Sequence, residues 1–580
     1  MDHGVFHSRI ISASGNFVLF CAALGFAQAP APNTADATAP EIKSQDAAPT
    51  FTSRVNLVLV RVVVRDKNGN ATGNLKKEDF QLFDKGKPQV ISKFSVETAA
   101  GAKAIRDSAA EVQTADDPNS PKVAVPERFV AFLFDDVHLD VSNLMEARKA
   151  AFKHLDEALQ GNGRAGVYTT SGQTTLEFTD NLEKIREALM AIQPHPRRMP
   201  AGSECPDISF FMADAIQSHD DAAALDAATT ETMICMSLRP EERQTAQQMA
   251  RSAASRAWNV GESETRLNLT VLKELVRRLS TMPGQRTLVL VSPGFYIPND
   301  ERSDESDILE RALRSNVIIS ALDARGLYVM IPGGDASQRQ ISSTAAITKD
   351  QYQRESAMVE GEVLAEMAYG TGGSLVHNTN DLESGFRRLA SAPEYSYVLG
   401  FSPQNLKPDG SYHALKVKLQ DGAGLTVQAR RGYYAPRRSA NAEEQAKQEL
   451  TEALFSRDEL QDIPVEVHTQ FFKSSDVAAR LSVLARVDAR HLRFQKLEGR
   501  NRDTLTVISA VFDRNGNYIS GTKKTIEMKL RDPTLETVLR SGIMIKTSFD
   551  VTPGTYVVRV VLRDSGGETM AARNGAVEIP

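Results

Sequence analysis

The sequence predicts a multidomain chain with a doubly wound, mostly parallel α/β domain at its centre, a small β module in front and an all-β sandwich behind. Three observations carry this. Between residues 127 and 436, apolar runs of strand length alternate with stripes of helical period, which calls for parallel pairing with helices on both sheet faces. Residues 51–98 and 461–580 instead hold short β-branched runs separated by turn residues. At 580 residues, the chain is several times the size of one hydrophobic core.

In chain order, residues 1–29 carry Arg9, an apolar run at 17–26 and small residues Ala27 and Ala29 around Gln28, the pattern of a secretory signal. That run is too short to span a bilayer, and no later stretch approaches the ~20 apolar residues a span requires. A secreted or periplasmic location is therefore expected. Residues 30–50, rich in Ala, Pro, Asp and Thr, read as a disordered linker. The β module at 51–98 begins with a buried strand at 55–64, which the turn Asp66-Lys67-Asn68-Gly69-Asn70 ends. Phe80, Leu82 and Phe83 and the alternation through Ile91 and Phe94 add further strands. Residues 99–126 lose this pattern and read as a second linker.

The α/β domain starts with residues 129–134, uninterrupted in apolar character as a strand buried on both faces requires. A helix follows with Leu144, Ala147, Ala151, Leu155 and Leu159 on one stripe, and Asn143 with Glu146 fits a capping box. Residues 166–170, 287–291 and 317–322 read as further strands. Residues 194–257 break the rhythm with Ala-rich helical sequence and are read as an insertion. After Gly370-Thr371-Gly372-Gly373, which reads as a helix stop, a strand at 395–401 and a hairpin through Asp421-Gly422 are expected to complete the same sheet. Residues 437–460 read as a connecting helix, and 461–580 as a sandwich of immunoglobulin or fibronectin type.

A formal charge of −6 and a pI near 6.0 exclude the basic excess that nucleic acid binding needs. Cys205 and Cys235 follow the signal segment. In an oxidising compartment they either close one disulfide across the insertion or stay as two buried thiols, and spacing alone does not choose. The two Asp-x-Asn-Gly-Asn turns look like calcium loops. However, Ala71 and Tyr518 stand where the loop glycine belongs, and Lys77 and Lys524 where the bidentate glutamate belongs, so both read as hairpin turns.

Four motifs close the central strands: Phe132-Leu133-Phe134-Asp135-Asp136, Leu290-Val291-Ser292-Pro293-Gly294, Ala321-Leu322-Asp323-Ala324-Arg325-Gly326 and Gly370-Thr371-Gly372-Gly373. With Glu78-Asp79-Phe80 in front, and Tyr397-Val398-Leu399-Gly400-Phe401 and Arg431-Gly432-Tyr433-Tyr434 behind, residues 50–440 resemble the von Willebrand factor type A (VWA) superfamily. More narrowly, they resemble the exported bacterial VWA-related proteins common in acidobacteria. The resemblance implies a Mg²⁺ site at the carboxyl end of the sheet, built from an Asp-x-Ser-x-Ser loop, a threonine and a later aspartate. Asp135 takes the first position, but Val137 and Leu139 replace the serines and Ser292 the later aspartate. Valine and leucine cannot coordinate Mg²⁺, so the implied metal-ion-dependent adhesion site is degenerate. Its remaining candidate ligands for Mg²⁺ or another divalent cation are Asp135, Asp136 and His138, with Asp140 in a shifted register; the histidine tilts the set toward a transition metal. The alternative is that Asp135 and Asp136 favour the N-terminus of the following helix.

The expected function is that of a non-catalytic exported binding or scaffold protein with a protein partner and no cofactor. One alternative is a divalent-cation-dependent adhesion protein with an altered ligand set. Another is an extracytoplasmic hydrolase with the 194–257 insert as lid. Against the hydrolase, Ser292 lacks the glycine two residues earlier that a nucleophile elbow uses, and no His-Glu-x-x-His occurs.

Overall fold

A strand covered on both faces must bury every residue, and Arg128–Phe134 (β1) does so. Around it, Gly163–Thr169 (β2), Thr175–Thr179 (β3), Gln285–Ser292 (β4), Val317–Asp323 (β5) and Leu375–Val376 (β6) form one sheet in the order β6-β5-β4-β1-β2-β3. Every neighbouring pair is parallel except β2 with β3. Read from β3, this is the doubly wound order, which reverses between β1 and β4. There Phe134 stands opposite Val291 on one side and Thr169 on the other.

The computed structural model describes residues 41–47, 58–67, 69–98, 128–159, 163–196, 204–327, 343–391, 395–403, 409–420, 422, 424–435, 450–451, 453–455, 460–566 and 569–580. The expected signal segment at 1–29 and linker at 99–126 lie outside these residues. Alternate residues of the parallel sheet feed two cores. Phe129, Ala131 and Leu133 join Leu288, Leu290 and Ile319 beneath Leu269, Leu272 and Val276. Val130, Phe132 and Phe134 join Val289 and Val291 beneath Leu144, Ala147 and Phe386. Each of the Val, Leu, Ile and Phe side chains among them contributes roughly 1.5–3 kcal/mol by leaving water.

The helices of the α/β domain are Val141–Lys153 (α1), Leu155–Leu159 (α2), Leu182–Ala191 (α3), Phe210–Ser218 (α4), Ala222–Cys235 (α5), Arg243–Ser280 (α6), Arg302–Arg314 (α7), Ser343–Thr371 (α8) and Leu382–Ala390 (α9). The expected capping box at Asn143 is corrected: α1 begins at Val141, and Asp140 caps it by accepting the Asn143 N–H at 2.7 Å. Neither Asp135 nor Asp136 takes that role. The insertion also has no boundary at residue 257. α6 is one helix of 38 residues, whose first half packs Ala250, Ala253 and Ala254 against α4 and α5 and whose second half packs on the sheet. Cys235, at the end of α5, is bonded to Cys205, with Cα atoms 6.2 Å apart.

The expectation that residues 395–436 extend the parallel sheet is overturned. Tyr395–Phe401 runs antiparallel between Val58–Arg65 and Lys93–Thr98, with Leu399 opposite Val60 and Phe94. Tyr412–Leu419 pairs with Phe80–Asp84 and Gly432–Tyr434 in a second antiparallel sheet. The reason is burial: Tyr397, Leu399 and Phe401 are fully covered by Val60, Val62, Val64, Phe80 and Leu82, a core that residues 51–98 cannot close alone. The α/β domain is thus an insertion into one β domain, between Thr98 and Tyr395.

The C-terminal region is antiparallel throughout. One sheet contains Ile42–Ala47, Tyr518–Leu530, Arg500–Asp513, Gly554–Asp564, Met570–Ile579 and Leu460–Gln461, with Gln495–Leu497 beside Arg500–Asp513. Val465–Ser475, Ala478–Val487 and Ile543–Val551 form the facing sheet, with Leu481, Val483, Leu505, Val507, Val560 and Leu562 between. Residues 42–47 therefore depart from the linker expected at 30–50. Their pairing with residues 523–528 is carried by backbone hydrogen bonds, which leave no apolar pattern to read. Of the expected connecting helix, residues 450–455 are helical where described, and Leu450 and Leu454 are buried against Phe512 and Val557. The turn at Asp513-Arg514-Asn515-Gly516-Asn517 docks on the amino end of the parallel sheet. There Arg514 donates to Asp180 at 2.7 Å, and Arg164 donates to the Arg514 carbonyl at 3.2 Å. Among the described residues, no helix is long and apolar enough to cross a membrane.

Candidate functional site

A doubly wound sheet opens a crevice at the carboxyl ends of the strands where its order reverses. Here those ends are Phe134 of β1 and Ser292 of β4, and Asp135 follows the first directly. Asp135 is 0% exposed, and its lone pairs are occupied by its own chain. Oδ2 accepts from the Ser292 hydroxyl at 2.7 Å, tying β1 to β4 across the reversal. Oδ1 accepts from the His138 backbone N–H at 3.3 Å, and both oxygens lie 3.0–3.1 Å from His138 Nδ1. A carboxylate only accepts, so the proton between them belongs on Nδ1. Burial pushes the Asp135 carboxyl up, but His138 and Ser292 together outweigh it and hold it below the usual range.

The imidazole is fixed on its remaining sides. It stacks on Phe295, with ring centres 6.1 Å apart. Its Nε2 stands 3.7 Å from Glu264 Oε2, so buried carboxylates flank the ring at both nitrogens. Asn268 lies beside the ring, with Nδ2 3.1 Å from Nδ1 but no hydrogen bond between these two donors, and its Oδ1 accepts from the Thr170 hydroxyl at 2.9 Å. The Ser292 hydroxyl also accepts from the Gly294 N–H at 3.0 Å. Among the described residues, no histidine stands within hydrogen-bond reach of Ser292.

Asp136 serves a different set of contacts. It is also 0% exposed, and it accepts from the Ser171 N–H at 2.8 Å and from the Ser171 hydroxyl. Its Oδ2 lies 3.0 Å from His195 Nδ1, and its carbonyl accepts from the His195 N–H at 2.7 Å. The loops after β1 and β2 and the entry to the insertion are thereby joined. Thus Asp135 and His138 are brought together while Asp136 is committed elsewhere. Among the described residues, no three His, Cys, Asp or Glu side chains are grouped to hold a metal ion, and the implied Mg²⁺ does not fit this set. Asp323, at the end of β5, is paired with Arg325 at 2.7 Å.

The insertion sits against the loop after β4. Tyr296 donates to Asp214 at 2.6 Å and meets Phe210 and Phe211 edge-on, each with ring centres 5.3 Å away. Tyr352 of α8 donates to Asp221, the N-cap of α5, at 2.5 Å. Sequence reasoning missed Glu264, Asn268, Thr170, Ser171, His195 and Phe295. A signal existed for two of them. Glu264 and Asn268 lie eight and four residues before Leu272 on the buried stripe of α6, and a polar residue on such a stripe needs a partner.

No protein-family model matches the chain, and no curated protein matches it. Among solved structures, the conserved hypothetical protein BatB from Bacteroides thetaiotaomicron is similar at 14% identity and a TM-score of 0.21, over 45% of this chain and 96% of its own. The pilus adhesin SpaC from Lactobacillus rhamnosus GG is similar at 8% identity and a TM-score of 0.21, over 94% of this chain and 57% of its own. A Bacteroides uniformis beta-glucuronidase 2 shares 18% identity at a TM-score of 0.14, over 20% of this chain, which spans 13% of that enzyme. Likenesses at these scores carry no argument about fold or function.

Proposed function

We propose that the chain is a non-catalytic exported binding protein whose VWA-like domain presents a metal-free version of the adhesion site to a protein partner. The observation that carries this is the state of Asp135: a fully buried carboxylate saturated by Ser292 and His138, where the resemblance would put the first ligand of an ion. The doubly wound strand order supports the VWA-like reading, since it places Asp135 and Ser292 together at the reversal. A side chain of the same polypeptide then takes the place of the cation. Serine chemistry is disfavoured because the buried Ser292 hydroxyl is held between the Asp135 carboxylate, to which it donates, and the Gly294 N–H, from which it accepts.

The test is a thermal-shift titration of the full chain with Mg²⁺, Mn²⁺ and Zn²⁺, following the unfolding of the α/β domain. Its transition should not move with any of the three, in wild type or in Asp135→Ala, because an ion stabilises only a native state that binds it. A saturable rise that Asp135→Ala abolishes would instead establish the cation-dependent reading. Capture of a discrete partner from the envelope fraction by wild type, weakened by substitutions in the loops after β1 and β4, would identify the face used.

A further inference from the structure

Helix α1 turns most of its large apolar residues outward. Its buried face offers only Leu144 and the alanines Ala147, Ala150 and Ala151, whereas Val141 is 59% exposed, Met145 53% and Phe152 40%. A helix on the surface of a folded domain ordinarily points its apolar stripe at the core and its charges at water. One exposed apolar side chain needs no explanation, but these three lie on one line with Arg148. Positions 141, 145, 148 and 152 step by 4, 3 and 4 residues, the 3.5-residue repeat by which one helix presents a seam to another.

Arg148 does not interrupt that seam with a loose charge. Its guanidinium donates to the carbonyls of Met190 and Ile192, at 3.3 and 3.1 Å, which draws it aside toward α3 and leaves its alkyl stem in the line. Met190, whose carbonyl it meets, is itself 56% exposed. Arg186 of α3 lies over the Phe152 ring, 5.3 Å from its centre, and holds that ring in place at the end of the stripe. The apolar line is therefore ordered before anything covers it, so little side-chain entropy is lost when something does.

The charges along α1 select the occupant. Asp140 and Glu146 mark its N-terminal half, and Arg148, Lys149 and Lys153 its C-terminal half. Two copies of α1 laid antiparallel along their seams set Val141 against Phe152 and Met145 against the Arg148 stem, twice over, and bring the acidic half of each helix against the basic half of the other. A parallel pair would instead set Glu146 on Glu146 and Lys149 on Lys149, and the helix dipoles oppose it as well. Glu146 and Lys149 already meet within one helix at 3.6 Å, but both are mostly exposed, and a surface pair of this kind is weak enough to re-form across a seam. We infer that α1 is the contact of a symmetric dimer, in which a second copy of this chain lays its own α1 antiparallel on Val141, Met145 and Phe152. Nothing in this pairing depends on how the crevice is read. One helix from each copy makes a small interface, so the dimer is weak, with a Kd on the order of 10⁻⁵ M.

Sedimentation equilibrium of the full chain, from about a tenth of that concentration to about ten times it, should show a reversible monomer–dimer equilibrium. Met145 is more than half exposed, so Met145→Glu should melt within about 2 °C of wild type, as a neutral surface change does, yet weaken the dimer at least about tenfold by placing a charge in the seam. Glu146→Lys sets like charges together across the pair and should weaken association several-fold. Glu146→Lys combined with Lys149→Glu reverses both halves of the helix and should restore it. A wild type that stays monomeric at the highest concentration leaves the stripe to a different occupant and overturns the inference, as does a Met145→Glu variant that dimerises like wild type. Failure of the double reversal to recover association overturns the antiparallel pairing.

Discussion

Replacing His138 with alanine puts the crevice reading at risk more directly than any other change. After the substitution Asp135 keeps the Ser292 hydroxyl at 2.7 Å and the backbone N–H of residue 138 at 3.3 Å. It loses the imidazole, which approaches both carboxylate oxygens at 3.0–3.1 Å. Removing the donor of a buried, charge-assisted hydrogen bond leaves the carboxylate short of a partner and costs roughly 1–3 kcal/mol or more. The His138 side chain is 17% exposed, so water can reach the vacated space, and two donors remain. The expected cost is therefore about 2–3 kcal/mol. Asp135→Asn in the same background removes the stranded charge and should recover about 1–2 kcal/mol, a coupling typical of residues in contact. Urea unfolding in EDTA measures both variants. Trp258, the single tryptophan, lies on α6 with its ring centre 5.3 Å from that of Phe210, so its fluorescence follows the α/β domain. A His138→Ala variant within about 0.5 kcal/mol of wild type, the scatter of a neutral surface change, would refute the claim that the imidazole holds Asp135.

Three further outcomes are expected. Gly516 adopts φ +82°, and a Cβ there would stand 2.3 Å from Phe129 Cζ, so Gly516→Ala should destabilise by about 2–4 kcal/mol in chemical unfolding, from backbone strain plus overpacking. Cys205→Ser with Cys235→Ser opens a loop with a sequence separation of 30 and should lower the stability of the insertion by about 2–4 kcal/mol, visible as faster proteolysis near residue 205. Glu305 is buried beside Arg302; its own burial and then the neighbouring Glu366 raise its carboxyl above the ordinary range. A carboxyl raised in the fold binds its proton more tightly there than in the unfolded chain. Its contribution is thus full below the ordinary glutamate range and is lost as pH rises toward the folded value. Glu305→Gln should flatten that fall in melting temperature, whereas an unchanged slope would remove Glu305 as its source.

What could be read in advance, and what could not, follows from the range over which each feature is specified. The parallel strands and their helices are encoded locally, because a strand covered on both faces has to be apolar throughout, as residues 129–134 are. Tyr395–Phe401 has an equally plain strand signature, yet nothing in those seven residues says which sheet they join. Their partners at Val58–Arg65 lie more than 300 positions away and are selected by a shared core around Tyr397 and Leu399. Ile42–Ala47 is less legible still, since an edge strand held through its backbone needs no apolar alternation. At the crevice, the absence of the coordinating serines could be seen from Val137 and Leu139. What replaces the ion could not, because His138 becomes informative only once α6 delivers Glu264 and Asn268 to it. Their polar character on the apolar stripe of α6 is the one trace this leaves in the sequence. Polar residues at core-facing register positions are therefore where a chain of this kind announces its sites.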